Sequence, residues 1–226
     1  MKLSNETIRI LQNFVTINDG IFFKKGSVIS TVSPQKNILA DALISEYIPE
    51  DFGIYDLNTF LKVISMFKDA PELEFDSKHV IIKGNSNRSQ IKYRVTDPSM
   101  IVIAPDKRPN LQTVDVKFNL DEKDFSWIIR TAYTLNSPHV AVVGDGKTVS
   151  LFTFDANDDS VSTQNLVMDG VDAGDKVFKL IFKRDNLKML MGDYEVEISA
   201  KGIAKFYESN KGLTYYVTLE TSSTYE

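Results

Sequence analysis

The sequence predicts an α+β fold with antiparallel sheets, divided into two domains of the same plan. Apolar residues recur at helical spacing in a few segments, and elsewhere they alternate in short runs rich in β-branched and aromatic residues. Three prolines, at positions 98, 105 and 109, interrupt the chain near its middle. Helical and strand-like segments follow in the same order on each side of these prolines, which indicates a repeat of pattern.

The proline-rich segment is predicted to be an ordered linker between the two domains. Each proline fixes its own backbone and biases the preceding residue toward extended geometry, so neither a helix nor a central strand fits there. We expect domains at residues 1–104 and 115–226, joined by a linker at residues 105–114. Two unrelated α+β domains would also give this pattern, because few residues are identical between the halves.

Each half is expected to open with an amphipathic helix and to carry a second, shorter helix. The opening helices are predicted at about residues 4–16 and 121–135, and the second helices at about residues 57–67 and 184–191. Their apolar faces follow helical spacing. The first is assigned to Ile8, Leu11 and Val15, the second in chain order to Leu57, Phe60, Leu61 and Ile64, and the third to Phe125, Ile128, Ile129 and Ala132.

Short β-rich runs fill the remainder of each half. They include residues 80–82, 90–95, 149–154, 194–198 and 215–219. Glycine-containing turn signals separate them, as expected for antiparallel strands joined by hairpins. Asp145-Gly146 is one such signal.

Composition excludes several classes of protein. A chain of 226 residues with 42% hydrophobic content is long enough for two domains with real cores. With no cysteine, there is no disulfide, thiolate nucleophile or cysteine-ligated zinc. Apolar runs fall short of a membrane span and the first residues do not resemble a signal peptide, so we expect a cytoplasmic protein without membrane partners. A net charge of -5 argues against a whole surface that grips nucleic acid, and any DNA contact must come from a local stripe.

Several predicted helices present a basic residue away from the apolar face. Helical spacing places Lys123 and Arg130 on the outward side of the helix at residues 121–135, and Lys62 opposite the apolar face of its helix. Lys2 and Arg9 share one flank of the first helix. Solvent-facing lysine and arginine are common on any amphipathic helix, so spacing alone leaves a DNA-facing role and a merely solvated face both open.

No catalytic, cofactor or metal site is predicted. The segment at residues 144–148 ends like a phosphate-binding loop, but Ala141 stands where that motif needs glycine and a strand follows instead of a helix. The segment at residues 155–160 starts like a calcium loop, but Leu166 stands where the bidentate glutamate belongs. His79 and His139 lie in different halves and fit no metal-ligand spacing.

Several short segments are recognisable together and in order. They are MKLS at residues 1–4, NFVTINDGI at 13–21, IYDLNTFL at 54–61, DPS at 97–99 with AP at 104–105, GDY at 192–194, AKG at 200–202, AKF at 204–206 and YVTLE at 216–220. This series, which spans nearly the whole chain, resembles the sliding clamps of T-even-type bacteriophages.

The resemblance implies a homotrimeric ring in which each protomer supplies two DNA-clamp-fold domains. Helices would line a channel around double-stranded DNA, and sheets would form the outside. Such a protein would tether the replicative DNA polymerase as a processivity factor, without enzymatic activity, cofactor or metal. A clamp loader ATPase would load it, late transcription factors would use it, and it would act in the cytoplasm of an infected bacterial host.

The resemblance also suggests roles for particular residues. The DNA-facing channel is assigned to Lys2, Arg9, Lys62, Lys123, Arg130, Lys183, Arg184 and Lys188. The subunit interface is assigned to one edge strand from each domain, through Ile91, Tyr93, Val95, Val161, Leu166 and Met168. A pocket for partner peptides under the linker is assigned to Ile103, Leu111, Val114, Leu219 and Tyr225. A β-rich virion structural protein and a hydrolase with an unrecognised site are the alternatives.

Overall fold

The computed structural model describes residues 1–85 and 88–226, which separate into two compact units. The first unit comprises Met1–Lys107 with Lys211–Leu213, and the second comprises Arg108–Asn210 with Thr214–Glu226. The division after Lys107 falls inside residues 105–114, and residues 101–115 form neither helix nor strand. The linker assignment itself stays a prediction.

The first unit contains two helices and three groups of antiparallel strands within its described residues. Strands β1 and β4 pair, β2 pairs with β3, and β5, β6 and β7 form a three-stranded sheet in that order. The elements are α1 (Asn5–Val15), β1 (Ile21–Phe23), β2 (Gly26–Val32), β3 (Ile38–Ile48), β4 (Phe52–Ile54), α2 (Leu57–Ser65), β5 (Glu72–Phe75), β6 (His79–Lys83) and β7 (Gln90–Arg94).

The second unit packs one helix on antiparallel strands. Its five-stranded sheet has the order β11-β10-β9-β12-β16, and β15, β14, β13 and β8 are neighbours in a further sheet. The elements are β8 (Val116–Leu120), α3 (Glu122–Thr134), β9 (His139–Asp145), β10 (Thr148–Phe154), β11 (Gln164–Asp172), β12 (Val177–Lys183), β13 (Tyr194–Ser199), β14 (Ile203–Glu208), β15 (Leu213–Thr218) and β16 (Thr224–Tyr225).

Capping residues explain where the three helices begin. The side chains of Ser4, Asp56 and Asp121 accept hydrogen bonds from backbone N–H groups in the first turns of α1, α2 and α3. Such caps satisfy donors that have no partner inside the helix. The three helices predicted at residues 4–16, 57–67 and 121–135 are therefore confirmed, with ends that differ by one or two residues.

The fourth predicted helix, at residues 184–191, is wrong. Only Arg184–Asn186 forms a helical turn, of the 3₁₀ type. Beyond it, the N–H of Leu190 donates to the Tyr215 hydroxyl and its carbonyl accepts from the Tyr194 hydroxyl. These two side chains take the backbone groups that a helix would use internally, and they fix the segment in an irregular conformation.

The turn chemistry is as expected at the two motifs that imitate ligand loops. Asp145 closes a hairpin between β9 and β10, since its carboxylate accepts from the N–H groups of Lys147 (3.0 Å) and Thr148 (2.7 Å). Gly146 has a φ of 86°, which favours glycine. In the calcium-like segment, Asp155 and Asp158 accept from backbone N–H groups two residues ahead, so they stabilise turns of their own loop.

Each unit has a core of large apolar side chains under its helices. In the first unit, Phe14 and Phe60 are fully buried, and the Phe60 ring meets Tyr93 edge-on at 5.1 Å. In the second, Phe125 on α3 is 1% exposed and meets Tyr194 edge-on at 5.7 Å. The helices are therefore held by one face each, which leaves the opposite faces to solvent.

Candidate nucleic-acid interface

Helix α3 shows most directly how the fold positions basic side chains. Its buried residues are Phe125, Ile128, Ile129 and Ala132, which agrees with the predicted apolar face. Since successive helical residues are about 100° apart, the residues opposite this face form a single row. That row consists of Lys123, Trp127, Arg130 and Thr134, all of them exposed.

Helix α1 buries a different face from the predicted one. Thr7, Ile10, Leu11 and Phe14 are buried, whereas Ile8 and Val15 are only half-buried. The Thr7 hydroxyl donates to Glu46 of β3 at 2.6 Å, and Glu46 also accepts from the N–H of Ser4. This carboxylate anchors the start of the helix and turns Thr7 inward. The row opposite the core is Asn5, Arg9, Gln12 and Thr16.

Helix α2 follows the predicted arrangement. Leu57, Phe60, Leu61 and Ile64 are buried. Asp56 caps the helix, and hydrogen bonds from the Thr59 hydroxyl and N–H lower the pKa of its carboxyl, which is therefore ionised near neutral pH. The exposed row opposite the core is Thr59, Lys62 and Met66.

These three rows, which we call the outward stripes, differ in charge from the rest of the chain. They carry four cations, Arg9, Lys62, Lys123 and Arg130, and no carboxylate. The acidic residues of the helices occupy the caps and flanks instead, at Asp56, Asp121, Glu6, Glu122 and Asp124. A chain with a net charge of -5 thus exposes only positive and neutral side chains along the outward stripes.

The cations of the outward stripes are not neutralised by ion pairs. Within residues 1–85 and 88–226, no salt bridge joins Arg9, Lys62, Lys123 or Arg130 to a carboxylate, and Arg130 instead donates to the Ser126 hydroxyl at 3.3 Å. By contrast, Lys117 on β8 pairs with Glu195 (2.5 Å) and Glu197 (3.1 Å) of β13. The outward stripes can therefore offer free positive charge to a polyanion.

The other predicted channel residues lie off the stripes. Lys2 precedes α1 and donates to Asn85 at 2.9 Å. Lys183 pairs with Glu220 at 3.6 Å. Arg184 pairs with Asp185 at 3.2 Å, and its guanidinium lies 4.2 Å from the centre of the Tyr133 ring. Lys188 is exposed on the irregular segment that replaces the fourth predicted helix. A channel role for these four residues has less structural support than for the stripe cations, and it stays a prediction.

Both strands predicted for the subunit interface lie at sheet edges. In the described residues β7 ends the three-stranded sheet of the first unit, and β11 ends the five-stranded sheet of the second. Ile91, Tyr93 and Leu166 are half-buried on these strands, Val95 follows β7, and Met168 is buried. Val161 lies outside β11, in the preceding loop.

The two edge strands carry opposite charges, which the sequence analysis did not detect. Strand β7 exposes Lys92 and Arg94 and has no acidic residue. Strand β11 exposes Asp169 and Asp172 and has no basic residue. Pairing β7 with β11 would therefore bring unlike charges together, whereas pairing two copies of the same strand would oppose like charges. The sequence contains these charges, but it does not reveal which strands become edges.

The residues predicted for a partner pocket belong to both units. Ile103 lies in the first unit, and the other four lie in the second. Leu219 is buried, Ile103 and Leu111 are half-buried, and Val114 is 47% exposed. Tyr225 stacks on Phe178 at 5.7 Å, and its hydroxyl donates to the carbonyl of Asp115 at 3.2 Å. The pocket assignment stays a prediction.

The described residues hold no group of three or more histidine or carboxylate side chains that could bind a metal ion. None of the described helices has the length and apolar content needed to cross a membrane. The feature that stands out chemically is the row of unpaired cations on each helix.

Comparison with known proteins gives matches over both units. Residues 4–103 match a family described as DNA polymerase processivity factor, and residues 117–221 match one described as gp45 sliding clamp, C terminal. The chain is 34% identical over 233 residues to the sliding clamp of Enterobacteria phage T4, covering 100% of both chains. It is 31% identical over 232 residues to the sliding clamp of Escherichia phage RB69, again over 100% of both.

A solved structure supports the same fold. The chain is similar to PCNA from Thermococcus kodakaraensis, with a TM-score of 0.69 at 15% sequence identity, over 96% of this chain and 98% of that one. At this level of identity the likeness concerns the fold alone. Two tandem domains of the clamp fold therefore describe the architecture, as predicted, with three helices in place of the four expected.

Proposed function

Because the chain belongs to the sliding-clamp family of DNA polymerase processivity factors, we propose that three copies close into a ring around duplex DNA and tether the replicative polymerase. A clamp loader ATPase would open and load this ring, and late viral transcription factors would use the loaded ring as a moving platform. The protein would work in the cytoplasm of an infected bacterial host. It would act as a tether and perform no chemistry itself.

The outward stripes are the observation on which this proposal depends. A protein that slides needs attraction to the phosphate backbone without a grip that holds it at one position. Four unpaired cations per protomer, spread over three helices and accompanied by neutral side chains, provide such an attraction. An acidic remainder of the chain discourages DNA from binding elsewhere.

The edge strands support closure of the ring. An unpaired strand exposes backbone N–H and C=O groups, which readily pair with another chain. Because β7 is basic and β11 is acidic, the favoured contact joins the first unit of one protomer to the second unit of the next. A contact of this head-to-tail kind closes into a ring when the rotation between neighbours allows it.

Partner proteins are proposed to dock through short peptides in the predicted pocket around Leu219 and Tyr225. A half-buried aromatic residue beside apolar side chains offers the kind of anchor point that often dominates peptide affinity. The virion structural protein has no observation in its favour, since it would not require cations without carboxylates on the outward stripes.

The proposal is tested by polymerase synthesis on a primed circular template. Wild-type protein with loader and ATP should lengthen the products made by the cognate polymerase. Lys123→Glu combined with Arg130→Glu should reduce this stimulation and leave the trimer intact by sedimentation, because both residues are exposed and support no contact of the core. Product lengths that do not respond to the wild-type protein in the presence of loader would refute the tether.

A further inference from the structure

Trp127 is the only tryptophan of the chain, and its side chain is 50% exposed on α3. It lies directly opposite the buried face of the helix, between Lys123 and Arg130 on the outward stripe. The spacing i, i+4, i+7 places the three side chains in one row, with the two cations about 10 Å apart along the helix axis. An exposed indole is thus flanked by positive charge on both sides.

The surroundings of Trp127 form an open groove of about 370 Å³. It is lined by Lys123, Asp124, Ser126, Trp127, Arg130 and Leu166. The indole and Leu166 supply apolar surface, and the two cations supply positive charge. Asp124 is the one carboxylate of the lining, and it lies on a flank of α3, where its own N–H is held by the cap Asp121 at 2.7 Å.

We propose that Trp127 contacts the sugar–phosphate backbone of duplex DNA, with Lys123 and Arg130 on neighbouring phosphates. The indole would pack its flat face against deoxyribose, and its ring N–H, which can only donate, would reach a phosphate oxygen. The proposal rests on the function proposed above, because it assigns the outward stripe of α3 to the DNA side of the ring.

The charge of the stripe favours DNA over a second protein chain as the occupant. Two cations without ion pairs suit a polyanion, and the backbone of duplex DNA supplies phosphates at regular intervals. Insertion of the indole between bases would unstack and kink the duplex, which would oppose sliding. A neutral donor with an apolar body instead adds attraction without releasing further counterions, so its contribution should not depend on salt.

The single tryptophan allows a direct measurement. Protein labelled with 5-fluorotryptophan should give one ¹⁹F resonance, from Trp127. We expect this resonance to shift or broaden when linear duplex, whose free ends a ring can pass over, is added. Covalently closed circular duplex without loader should leave it unchanged, because a closed ring cannot be threaded onto a circle. A resonance that responds to dilution of the trimer but not to linear duplex would assign Trp127 to a subunit contact and overturn the proposal.

Matched variants separate the indole from the cations. Trp127→Ala should weaken binding to linear duplex about five-fold at every salt concentration, leaving the slope of log affinity against log salt unchanged. Lys123→Gln should reduce that slope by about one. Tyr133→Ala is the control, because Tyr133 is also 50% exposed on α3 but lies off the stripe, and it should have no effect. Equal binding by Trp127→Ala and wild type would refute the contact.

The outcome is distinguishable from failure of the proposed function. If the wild-type protein stimulates the polymerase while linear duplex leaves the ¹⁹F resonance and the affinity of Trp127→Ala unaffected, the inference about Trp127 is wrong and the tether stands. If the wild-type protein fails to stimulate the polymerase with loader present, the tether itself is wrong.

Discussion

The opposite charges of β7 and β11 predict how the ring responds to charge reversal. Replacing Lys92 and Arg94 by glutamate makes β7 acidic, so that it would face the acidic edge of β11 in the neighbouring protomer. Both residues are exposed, and the apolar side chains of β7 are unchanged. The protomer should therefore keep its fold, and the trimer should weaken.

The size of the effect follows from the exposure of these groups. An exposed ion pair contributes about 0.2–1 kcal/mol, and reversal replaces an attraction by a repulsion. Two reversed residues should then cost about 1.4 kcal/mol per subunit contact, and three contacts should lower the trimer association constant about 1000-fold. The protein concentration at which half the protein is trimeric should rise about 30-fold, as the square root of that change.

Sedimentation velocity over a dilution series, at low and at high salt, measures this midpoint. The shift should shrink at high salt because exposed charges are screened. Asp169→Lys with Asp172→Lys, added to the β7 variant, should restore the trimer. Lys147→Glu with Lys176→Glu is the control, since it makes the same change in net charge at exposed residues outside β7 and β11. An unchanged midpoint in the β7 variant, or no restoration by the second pair, would refute the proposed edge contact.

Two further predictions concern stability. Phe125→Ala should lower the free energy of unfolding by about 3–5 kcal/mol in urea, because Phe125 is 1% exposed, whereas Thr134→Ala on the outward stripe should stay within about 0.5 kcal/mol of wild type; equal costs would contradict the orientation of α3. Burial raises the pKa of Glu46, but hydrogen bonds from Thr7 and Ser4 outweigh it and hold that pKa below its ordinary value. A lowered pKa in the folded state stabilises above the unfolded value and is lost as pH falls, so Glu46→Gln should destabilise the protein near pH 7 and much less at about pH 3.

Local signals made most of the fold predictable. Ser4 and Asp121 are favoured capping residues placed just before apolar residues at helical spacing, and the ends of α1 and α3 follow from them. Asp145-Gly146 likewise specifies its hairpin through bonds within four residues. Each of these elements is determined by neighbours in sequence, and each was found.

The errors arose where a distant side chain decides the local structure. The first helix has apolar residues on two overlapping faces, and Glu46 of β3 selects between them through its hydrogen bond with Thr7. The segment after Arg184 has helical spacing, but the hydroxyls of Tyr194 and Tyr215 take the backbone groups of Leu190. Sequence spacing contains neither partner, so it could not predict either result.

The outward stripes combine both kinds of information, and this limits what they can do on DNA. In the proposed trimer they would present about a dozen cations, and simultaneous contact of all of them with phosphates would give a salt slope near −11, typical of a tight and stationary complex. The helices bear carboxylates on their flanks, at Glu6, Glu122 and Asp124, which would repel phosphates that stray from the stripes. Contacts that are few at any moment and exchange among equivalent cations reconcile attraction with movement. A neutral residue such as Trp127 adds adhesion within that limit, since it strengthens the contact without increasing the number of counterions released.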